Sequence, residues 1–168
     1  MRMGVLTVSD RCFRGEREDR SGEVIAEWAR ERGFVVEART IVADEASAIT
    51  PLLLRWCDVL RLDLVLTTGG TGLAPRDVTP GATRPVLDRE VPGLAEEVRR
   101  RGLDSTPNSI LSRGLAGARG RTLLVNLPGS PGGVRDGLAV LDGVVDHACA
   151  VLKDDGDPHE PPARGGSG

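Results

Sequence analysis

The chain has no tyrosine, two tryptophans, two phenylalanines and two histidines among 168 residues. With so few aromatic rings it lacks the stacking platforms on which single-stranded nucleic acids bind. Its net charge of −3 is not the basic excess that accompanies nucleic-acid binding. We therefore expect no nucleic-acid partner.

The shortage of histidine leaves no Ser-His-Asp or Cys-His set, which argues against nucleophilic hydrolase chemistry.

Cysteine is also scarce, and Cys12, Cys57 and Cys149 lie far apart without C-x-x-C spacing. That spacing disfavours a zinc site or a disulfide framework and is typical of reduced thiols in the cytoplasm. No apolar run approaches the ~20 residues that cross a membrane. The first eight residues are too short and strand-like for a signal peptide. We expect a cytoplasmic protein without a membrane partner.

Strand-like and helix-like segments alternate along the chain. This alternation predicts an α/β fold, a three-layer α/β/α domain around a mostly parallel sheet. The helix that ends near Leu60 has two candidate starts, one at Thr50-Pro51 and one capped by Asp44. The predicted strands are 3–8, 34–42, 62–66 and 122–127, and the main predicted helices are 20–32, 80–87, 92–101, one starting at Ser130-Pro131, and 142–152.

One domain is expected over residues 1–152. Residues 153–168 are rich in proline, glycine and charge and contain a single apolar side chain, Ala163. Such a composition cannot bury enough apolar surface to fold. We predict a disordered C-terminal tail.

The most informative segment is 67–80, T-T-G-G-T-G-L-A-P-R-D-V-T-P. It follows a predicted buried strand, and its three glycines free the backbone so that successive amides can surround a phosphate. Asp77 adds a carboxylate, and Thr79-Pro80 is typical of a helix cap and first helical residue. The spacing is neither that of a Walker A loop nor that of the dinucleotide fingerprint. A phosphate site with a metal ligand is predicted.

Other strand ends carry polar or glycine-rich sequence, and ligands of open α/β sheets bind at the carboxyl ends of strands. Ser9 and Asp10 follow the first strand, Asp44 follows the second, and residues 126–133 form a second glycine-rich loop before a helix start. Three carboxylates beside two phosphate-binding loops would repel a polyphosphate, so Mg²⁺ is expected between them. Arg11, Arg76 and Arg113 are candidate phosphate clamps.

Three motifs in order, T-V-S-D at 7–10, the 67–80 segment and N-L-P-G-S-P at 126–131, resemble the MogA/MoaB family of molybdenum cofactor biosynthesis. The resemblance covers about residues 3–152. It implies a three-layer α/β domain, usually a homotrimer, that adenylylates molybdopterin with Mg-ATP and releases pyrophosphate. It also implies possible hand-over of the product to a molybdenum-insertion protein.

The resemblance assigns the catalytic and Mg²⁺-binding roles to Asp44 and Asp77. Two alternatives stay open: a non-catalytic MoaB-type paralogue that binds molybdopterin or organises a complex, and a nucleotide pyrophosphatase related to the competence-damage proteins. The predicted substrate- and nucleotide-binding residues are Ser9, Asp10, Thr68, Gly69, Gly70, Thr71, Gly72, Asn126, Pro128, Gly129, Ser130, Gly132 and Gly133.

Overall fold

A computed structural model describes residues 1–154. Six strands form one sheet in the order β2-β1-β3-β6-β5-β4. The four strands from β2 to β6 in that order run parallel, β5 is antiparallel to β6, and β4 is antiparallel to β5. The strands are β1 Arg2–Val8, β2 Val35–Val42, β3 Leu64–Thr68, β4 Arg89–Glu90, β5 Ala116–Arg119 and β6 Thr122–Leu127.

Seven α-helices accompany the sheet within the described residues, together with short turns of tighter or wider helix. Helix α3 continues as a π-type turn, Arg55–Val59, and α4 continues as a 3₁₀ turn, Arg84–Val86. A further 3₁₀ turn, Pro107–Leu111, follows α5. The α-helices are α1 Asp10–Phe13, α2 Arg20–Glu31, α3 Ala46–Leu54, α4 Thr79–Thr83, α5 Pro92–Gly102, α6 Pro131–Asp142 and α7 Val145–Lys153.

The sheet has a hydrophobic core on each face, as the predicted three-layer fold requires. Alternate residues of a strand point to opposite faces, so in β1 Val5 joins one core and Leu6 joins the other. The first core packs against α2, α5, α6 and α7, and the second packs against α3 and α4. Strands β1 and β3 are buried on both faces, which explains their almost continuous apolar sequence.

Two strands escaped prediction. β5 reads A-G-A-R, which has none of the β-branched residues that mark strands, and β4 contains two residues. Pairing with β6 places β5 in the sheet, and β4 pairs with β5 in turn. The sheet is therefore mixed at this edge, while its other four strands are parallel as predicted.

The ambiguous helix takes the earlier start. α3 begins at Ala46 with Glu45 at the cap position, so Asp44 is not its cap and Pro51 lies inside it. The hydroxyl of Thr50 donates to the backbone oxygen of Ala82 at 2.9 Å, which joins α3 to α4 instead of capping a helix.

None of the helices between residues 1 and 154 has the length and apolar character required for a membrane span. α7 extends through Lys153, one residue into the segment predicted as tail. The rest of the predicted tail, from residue 155 on, lies outside the described residues.

Candidate active site

β1, β3 and β6 lie side by side and parallel, so the loops after them meet at one edge of the sheet. The loop from 69 to 78, here called the glycine loop, begins with Gly69 at φ +95° and Gly70 at φ +63°. Residues that carry a side chain rarely adopt these backbone angles. A Cβ on Gly69 would also lie 2.2 Å from the backbone oxygen of Val8. Glycine is therefore required at this turn.

Thr79 holds the glycine loop instead of capping α4. Its backbone N–H donates to the oxygen of Gly70 at 3.1 Å, and its buried hydroxyl donates to the oxygen of Gly69 at 2.9 Å. Val78 occupies the cap position and makes no side-chain cap. The predicted cap at Thr79 was wrong because its hydroxyl binds the glycine turn that precedes the helix.

The second loop, residues 128–130, packs directly against the first, since a Cβ on Gly129 would lie 3.1 Å from the Cα of Gly69. The hydroxyl of Thr68 donates to the oxygen of Pro128 at 2.6 Å, and the hydroxyl of Ser21 donates to the oxygen of Gly129 at 2.9 Å. Ser130 caps α6 by accepting from the N–H of Gly133 at 3.1 Å, as its sequence position predicted. The two glycine-rich loops thus form one structure at the end of the sheet.

Two recesses open beside these loops. The smaller is lined by Ser9, Thr68, Gly69 and Gly129, with the first turn of α2 at its wall. The larger, about 610 Å³, faces the segment from Gly102 to Ser112. Its lining contains six more of the predicted residues: Thr71, Gly72, Pro128, Ser130, Gly132 and Gly133. The predicted residues Asp10, Gly70 and Asn126 line neither recess. The predicted loops converge, but neighbouring residues serve different recesses.

Asp10 and Asp44 exchange hydrogen bonds across the loops after β1 and β2. The N–H of Asp10 donates to Oδ2 of Asp44 at 2.7 Å, and the N–H of Asp44 donates to Oδ1 of Asp10 at 3.1 Å. Arg76 grips both oxygens of Asp10, at 2.6 and 2.9 Å. The Arg76 hydrogen bonds hold the pKa of Asp10 below its ordinary value. Arg76 and Asp10 therefore form an ion pair with each other.

Asp44 differs in its electrostatics from Asp10. Burial raises the pKa of the Asp44 carboxyl, and the negative charges of Asp10 and Asp77 add to that rise against the opposing hydrogen bond from the Asp10 amide. Its Oδ1 accepts no hydrogen bond from the described residues and lies 3.2 Å from where a Cβ on Gly70 would sit. Asp44 thus presents a free, partly desolvated oxygen to the glycine loop.

Asp77 shapes the glycine loop and is held by an arginine from another loop. Its Oδ2 accepts from the N–H of Ala74 at 2.8 Å. Arg113 donates through Nε to the backbone oxygen of Gly72 at 2.7 Å and through Nη2 to the backbone oxygen of Asp77. The N–H of Arg113 also donates to the oxygen of Thr71 at 2.8 Å. Arg113 therefore fixes the backbone that carries Asp77.

The carboxylates fit a magnesium ion that is shared with phosphates. Between residues 1 and 154 there is no cluster of three or more His, Cys, Asp or Glu side chains of the kind that holds a metal by itself. Asp44 and Asp77 each retain a carboxylate oxygen without a hydrogen-bond donor among those residues. The negative charge of Asp77 contributes to the raised pKa of Asp44. Mg²⁺ is commonly held by one or two carboxylates together with substrate phosphates, and this donor set matches that arrangement.

The side chain of Asn126, a predicted binding residue, makes its hydrogen bonds inside the protein. Its side chain is buried, donates to the hydroxyls of Thr67 and Thr83 at 2.9 and 3.0 Å, and accepts from the N–H of Leu115 at 3.1 Å. All of its hydrogen-bonding groups are engaged except one lone pair. The structure does not bring this side chain to either recess.

Sequence reasoning also missed Asp19 and the backbone-holding role of Arg113, which it named only as a candidate phosphate clamp. The side chain of Asp19 is 6% exposed; it caps α2 through the N–H of Gly22 at 2.8 Å and accepts from the hydroxyl of Thr7 at 2.9 Å. An acid three residues before a glycine at a helix start was a detectable capping signal. The role of Arg113 had no local signal, because its partners lie 36 and 41 residues away in sequence.

Residues 4–147 match the family described as "Probable molybdopterin binding domain". The molybdopterin adenylyltransferase of Helicobacter pylori is 44% identical over 144 residues, which cover 83% of this chain and 80% of that protein. The molybdenum cofactor synthesis protein cinnamon of Drosophila melanogaster is 40% identical over 153 residues. Those residues cover 90% of this chain and 26% of the fly protein, so the chain spans about a quarter of that relative.

Solved structures agree with the sequence relatives. The crystal structure of the molybdopterin biosynthesis enzyme MoaB from Thermus thermophilus superposes with a TM-score of 0.85 at 54% identity. The match covers 90% of this chain and 95% of that one. The three-layer fold predicted from the sequence is confirmed by this likeness.

Proposed function

The chain belongs to the molybdopterin-binding domain family that its residues 4–147 match, and we propose that it is a molybdopterin adenylyltransferase of molybdenum cofactor biosynthesis. One observation carries the proposal. The left-handed turn at Gly69 and Gly70 meets the second glycine-rich loop on one side and the free carboxylate oxygen of Asp44 on the other. This arrangement suits a reaction between two phosphate-bearing substrates.

In the proposed reaction, a terminal phosphate oxygen of molybdopterin attacks the α-phosphorus of ATP. A new P–O bond forms, the bond from the α-phosphorus to the bridging oxygen of the β-phosphate breaks, and pyrophosphate leaves with those electrons. No nucleophilic side chain is needed, so the shortage of histidine is no obstacle. The protein must position the two phosphates and offset their charge.

The larger recess, of about 610 Å³ and lined by Gly72 and Ser130, has room for a substrate. The smaller recess, of about 40 Å³ and lined by Gly69 and Gly129, has room only for a small group of one. Backbone N–H groups without obstructing side chains can approach phosphate oxygens closely. The glycine loop would thus hold the reacting phosphates where the two substrates meet.

Asp44 and Asp77 are the proposed Mg²⁺ ligands. When bound, Mg²⁺ supplies positive charge that offsets the polyphosphate and the developing charge on the leaving group. Asp10 has a supporting role in this scheme, because Arg76 occupies both of its oxygens. Its amide in turn positions the carboxylate of Asp44.

We also propose a cytoplasmic homotrimer. All three cysteines are unpaired, in keeping with a reducing compartment. An apolar groove of about 490 Å³ runs between α5 and α7, and exposed apolar surfaces of this kind favour association. This α5–α7 groove is lined mainly by Leu94, Val140, Val144, Ala148, Val151 and Leu152.

The test is a turnover assay with ATP labelled at the α-phosphate, molybdopterin and Mg²⁺. We expect label to enter molybdopterin with release of pyrophosphate, and we expect excess chelator to stop it. Asp77→Asn should lower the rate by roughly 10²-fold or more, the scale seen for loss of one preorganised electrostatic contact. Asp104→Asn, an exposed aspartate whose ion pair is with Arg101, is the matched control.

Other outcomes would identify the alternatives. Pyrophosphate release that needs no molybdopterin would indicate a nucleotide pyrophosphatase. Tight molybdopterin binding without ATP turnover would indicate a non-catalytic carrier or scaffold. Full activity in excess chelator would remove Mg²⁺ from the mechanism, and an unchanged rate in Asp77→Asn would remove Asp77.

A further inference from the structure

A further polar cleft lies at the β4–β5 edge of the sheet. Its volume is about 490 Å³. Apart from Arg113, a candidate phosphate clamp, none of the predicted site residues lines it. Its walls include three arginines and one glutamate, and we call it the arginine cleft: Arg84, Glu90, Arg99, Arg113, Pro80 and Leu115 are among its lining residues.

The charges of the arginine cleft are not balanced from within. Arg84 pairs with Glu90. Arg99 and Arg113 have no carboxylate within 4.0 Å anywhere in the part of the chain that the structure describes. The cleft therefore carries two guanidinium charges without a matching acid.

Backbone contacts hold these two guanidinium groups in place. Nη1 of Arg99 donates to the oxygens of Gly114 and Ser112 at 3.0 and 3.4 Å. Arg113 donates to the oxygens of Gly72 and Asp77. Nε and Nη2 of Arg99 and Nη1 of Arg113 have no acceptor among residues 1–154. Each arginine is thus anchored through part of its donor fork and keeps the rest for a ligand.

A fixed set of guanidinium donors matches the oxygens of phosphate, and arginine suits such recognition better than lysine because its fork is planar and preorganised. We propose that the arginine cleft is a second anion site, which binds a phosphate-type oxyanion. Arg113 places this site next to the backbone of Asp77. The source of the oxyanion is either free phosphate or the pyrophosphate that the proposed reaction releases, and the second source rests on the proposed function.

Isothermal titration of the metal-free protein in excess chelator, with inorganic phosphate and with pyrophosphate in separate runs, tests the site. We expect saturable binding of at least one of the two in the wild-type protein. Arg99→Gln should weaken it at least tenfold. Arg101→Gln, two residues further along α5 and paired with Asp104 in solvent, should leave it unchanged.

Arg99 also anchors backbone oxygens, so Arg84→Gln is the second variant. The Arg84 side chain is 61% exposed and adds no backbone hydrogen bond that the fold needs. Because Arg84→Gln leaves the carboxylate of Glu90 in the cleft without its partner, it should weaken anion binding while the unfolding temperature stays close to that of the wild type. The tighter of the two anions identifies the source.

Two results would overturn the proposal: no saturable binding of either anion at millimolar concentration, or binding that survives Arg99→Gln and Arg84→Gln but is lost in Gly70→Val. The latter would place the anion at the glycine loop. Asp77→Asn separates this proposal from the adenylyltransferase proposal. This variant should lower turnover by roughly 10²-fold or more, as above, and leave anion binding in the arginine cleft intact.

Discussion

Asp44 and Asp10 touch each other, yet the pKa values of their carboxyls move in opposite directions. For Asp44 the raised pKa means that the folded protein holds the proton more tightly than the unfolded chain, so ionisation at neutral pH costs stability. For Asp10 the lowered pKa means that its charge stabilises the fold. We predict that at pH 7 Asp44→Asn raises the free energy of unfolding and Asp10→Asn lowers it.

The pH dependence provides the check. The contribution of Asp10 is present above the ordinary aspartate pKa of about 4 and is lost as the pH falls through its lower folded-state pKa. The cost of Asp44 appears as the pH rises from about 4 through its higher folded-state pKa. Urea unfolding at pH 7 should show opposite signs for the two variants, and the difference should shrink in acid. Equal shifts of one sign would contradict the assignment.

Gly70 is a residue at which conformation and ligand approach coincide. In Gly70→Ala the left-handed backbone would cost about 1–2 kcal/mol, and the new Cβ would lie 2.4 Å from the hydroxyl of Thr79. Relief of that clash would disturb the hydrogen bond from the Thr79 hydroxyl to the oxygen of Gly69, so we expect a folded protein with a lower melting temperature and weaker ATP binding. Calorimetry and nucleotide titration measure the two effects separately.

Gly33→Ala is the matched control for Gly70→Ala. Gly33 also has a left-handed backbone, at φ +69°, and a Cβ there meets nothing within 4 Å. The same conformational cost of about 1–2 kcal/mol should lower its melting temperature, while ATP binding should stay unchanged because Gly33 precedes β2, at the other end of the sheet from the glycine loop. If Gly70→Ala lost stability but kept full ligand affinity, the glycine loop would be a structural turn.

At the scale of single residues, the sequence predicted what local pattern determines. The glycines of the 69–72 segment and the Ser130 cap follow from conformational rules that need only a few neighbouring residues. The engagement of Asn126 in the core and the grip of Arg113 on the glycine loop depend on contacts between distant segments. No local rule links such segments, so these two roles required the structure.

At the scale of elements, α7 is joined to the amino end of β3 by the one lysine of the chain. Lys153 lies 2.9 Å from a carboxyl oxygen of Asp63, whose side chain is only 6% exposed. Burial by itself would raise the pKa of Asp63, but the N–H of Arg2 and the ammonium of Lys153 outweigh it and the pKa is lowered. Asp63 therefore stabilises the fold as an anion.

We predict that Lys153→Met lowers the free energy of unfolding by about 1 kcal/mol, because it removes a charged hydrogen bond that is partly screened by solvent. In a domain of this size that is a fall in melting temperature of roughly 2–4 °C. Arg101→Met, which breaks the exposed pair with Asp104, should change the free energy of unfolding by much less. A double-mutant cycle with Asp63→Asn should show that the two positions are coupled.

The strands and helices differ in how far they depend on tertiary contacts. β6 was predicted with its observed bounds, since T-L-L-V-N-L is an apolar strand sequence in its own right. β5 exists because β6 offers a free edge, and the start of α3 at Ala46 places Thr50 against α4. Those features depend on neighbours that a single segment does not specify.

At the scale of the whole molecule, the two ends of the sheet have different tasks. The carboxyl ends of the parallel strands carry the glycine loop and its carboxylates, while Asp63, just before β3, holds α7 at the other end. Strand β3 therefore connects a stabilising cluster to the candidate active site. Variants of Lys153 should alter stability without altering the ligand affinity of the folded protein.

The α5–α7 groove is the surface that we expect between subunits. Val144 and Val151 are 43% and 57% exposed there, and leaving such a patch in water is unfavourable for a monomer. A closed ring of identical chains covers one such surface on every subunit. Light scattering should therefore give a mass near three times the 17.8 kDa of the chain.

Val151→Asp should dissociate that trimer, because a carboxylate would be buried without a partner when the groove is covered. Val59→Asp is the matched control: Val59 is 71% exposed and follows α3 on the other face of the sheet. It should leave the mass unchanged. A monomeric wild type at micromolar concentration would contradict the trimer itself. A trimer that persists in Val151→Asp would keep the assembly but move its interface away from the α5–α7 groove, which would then need another reason for its exposed apolar side chains.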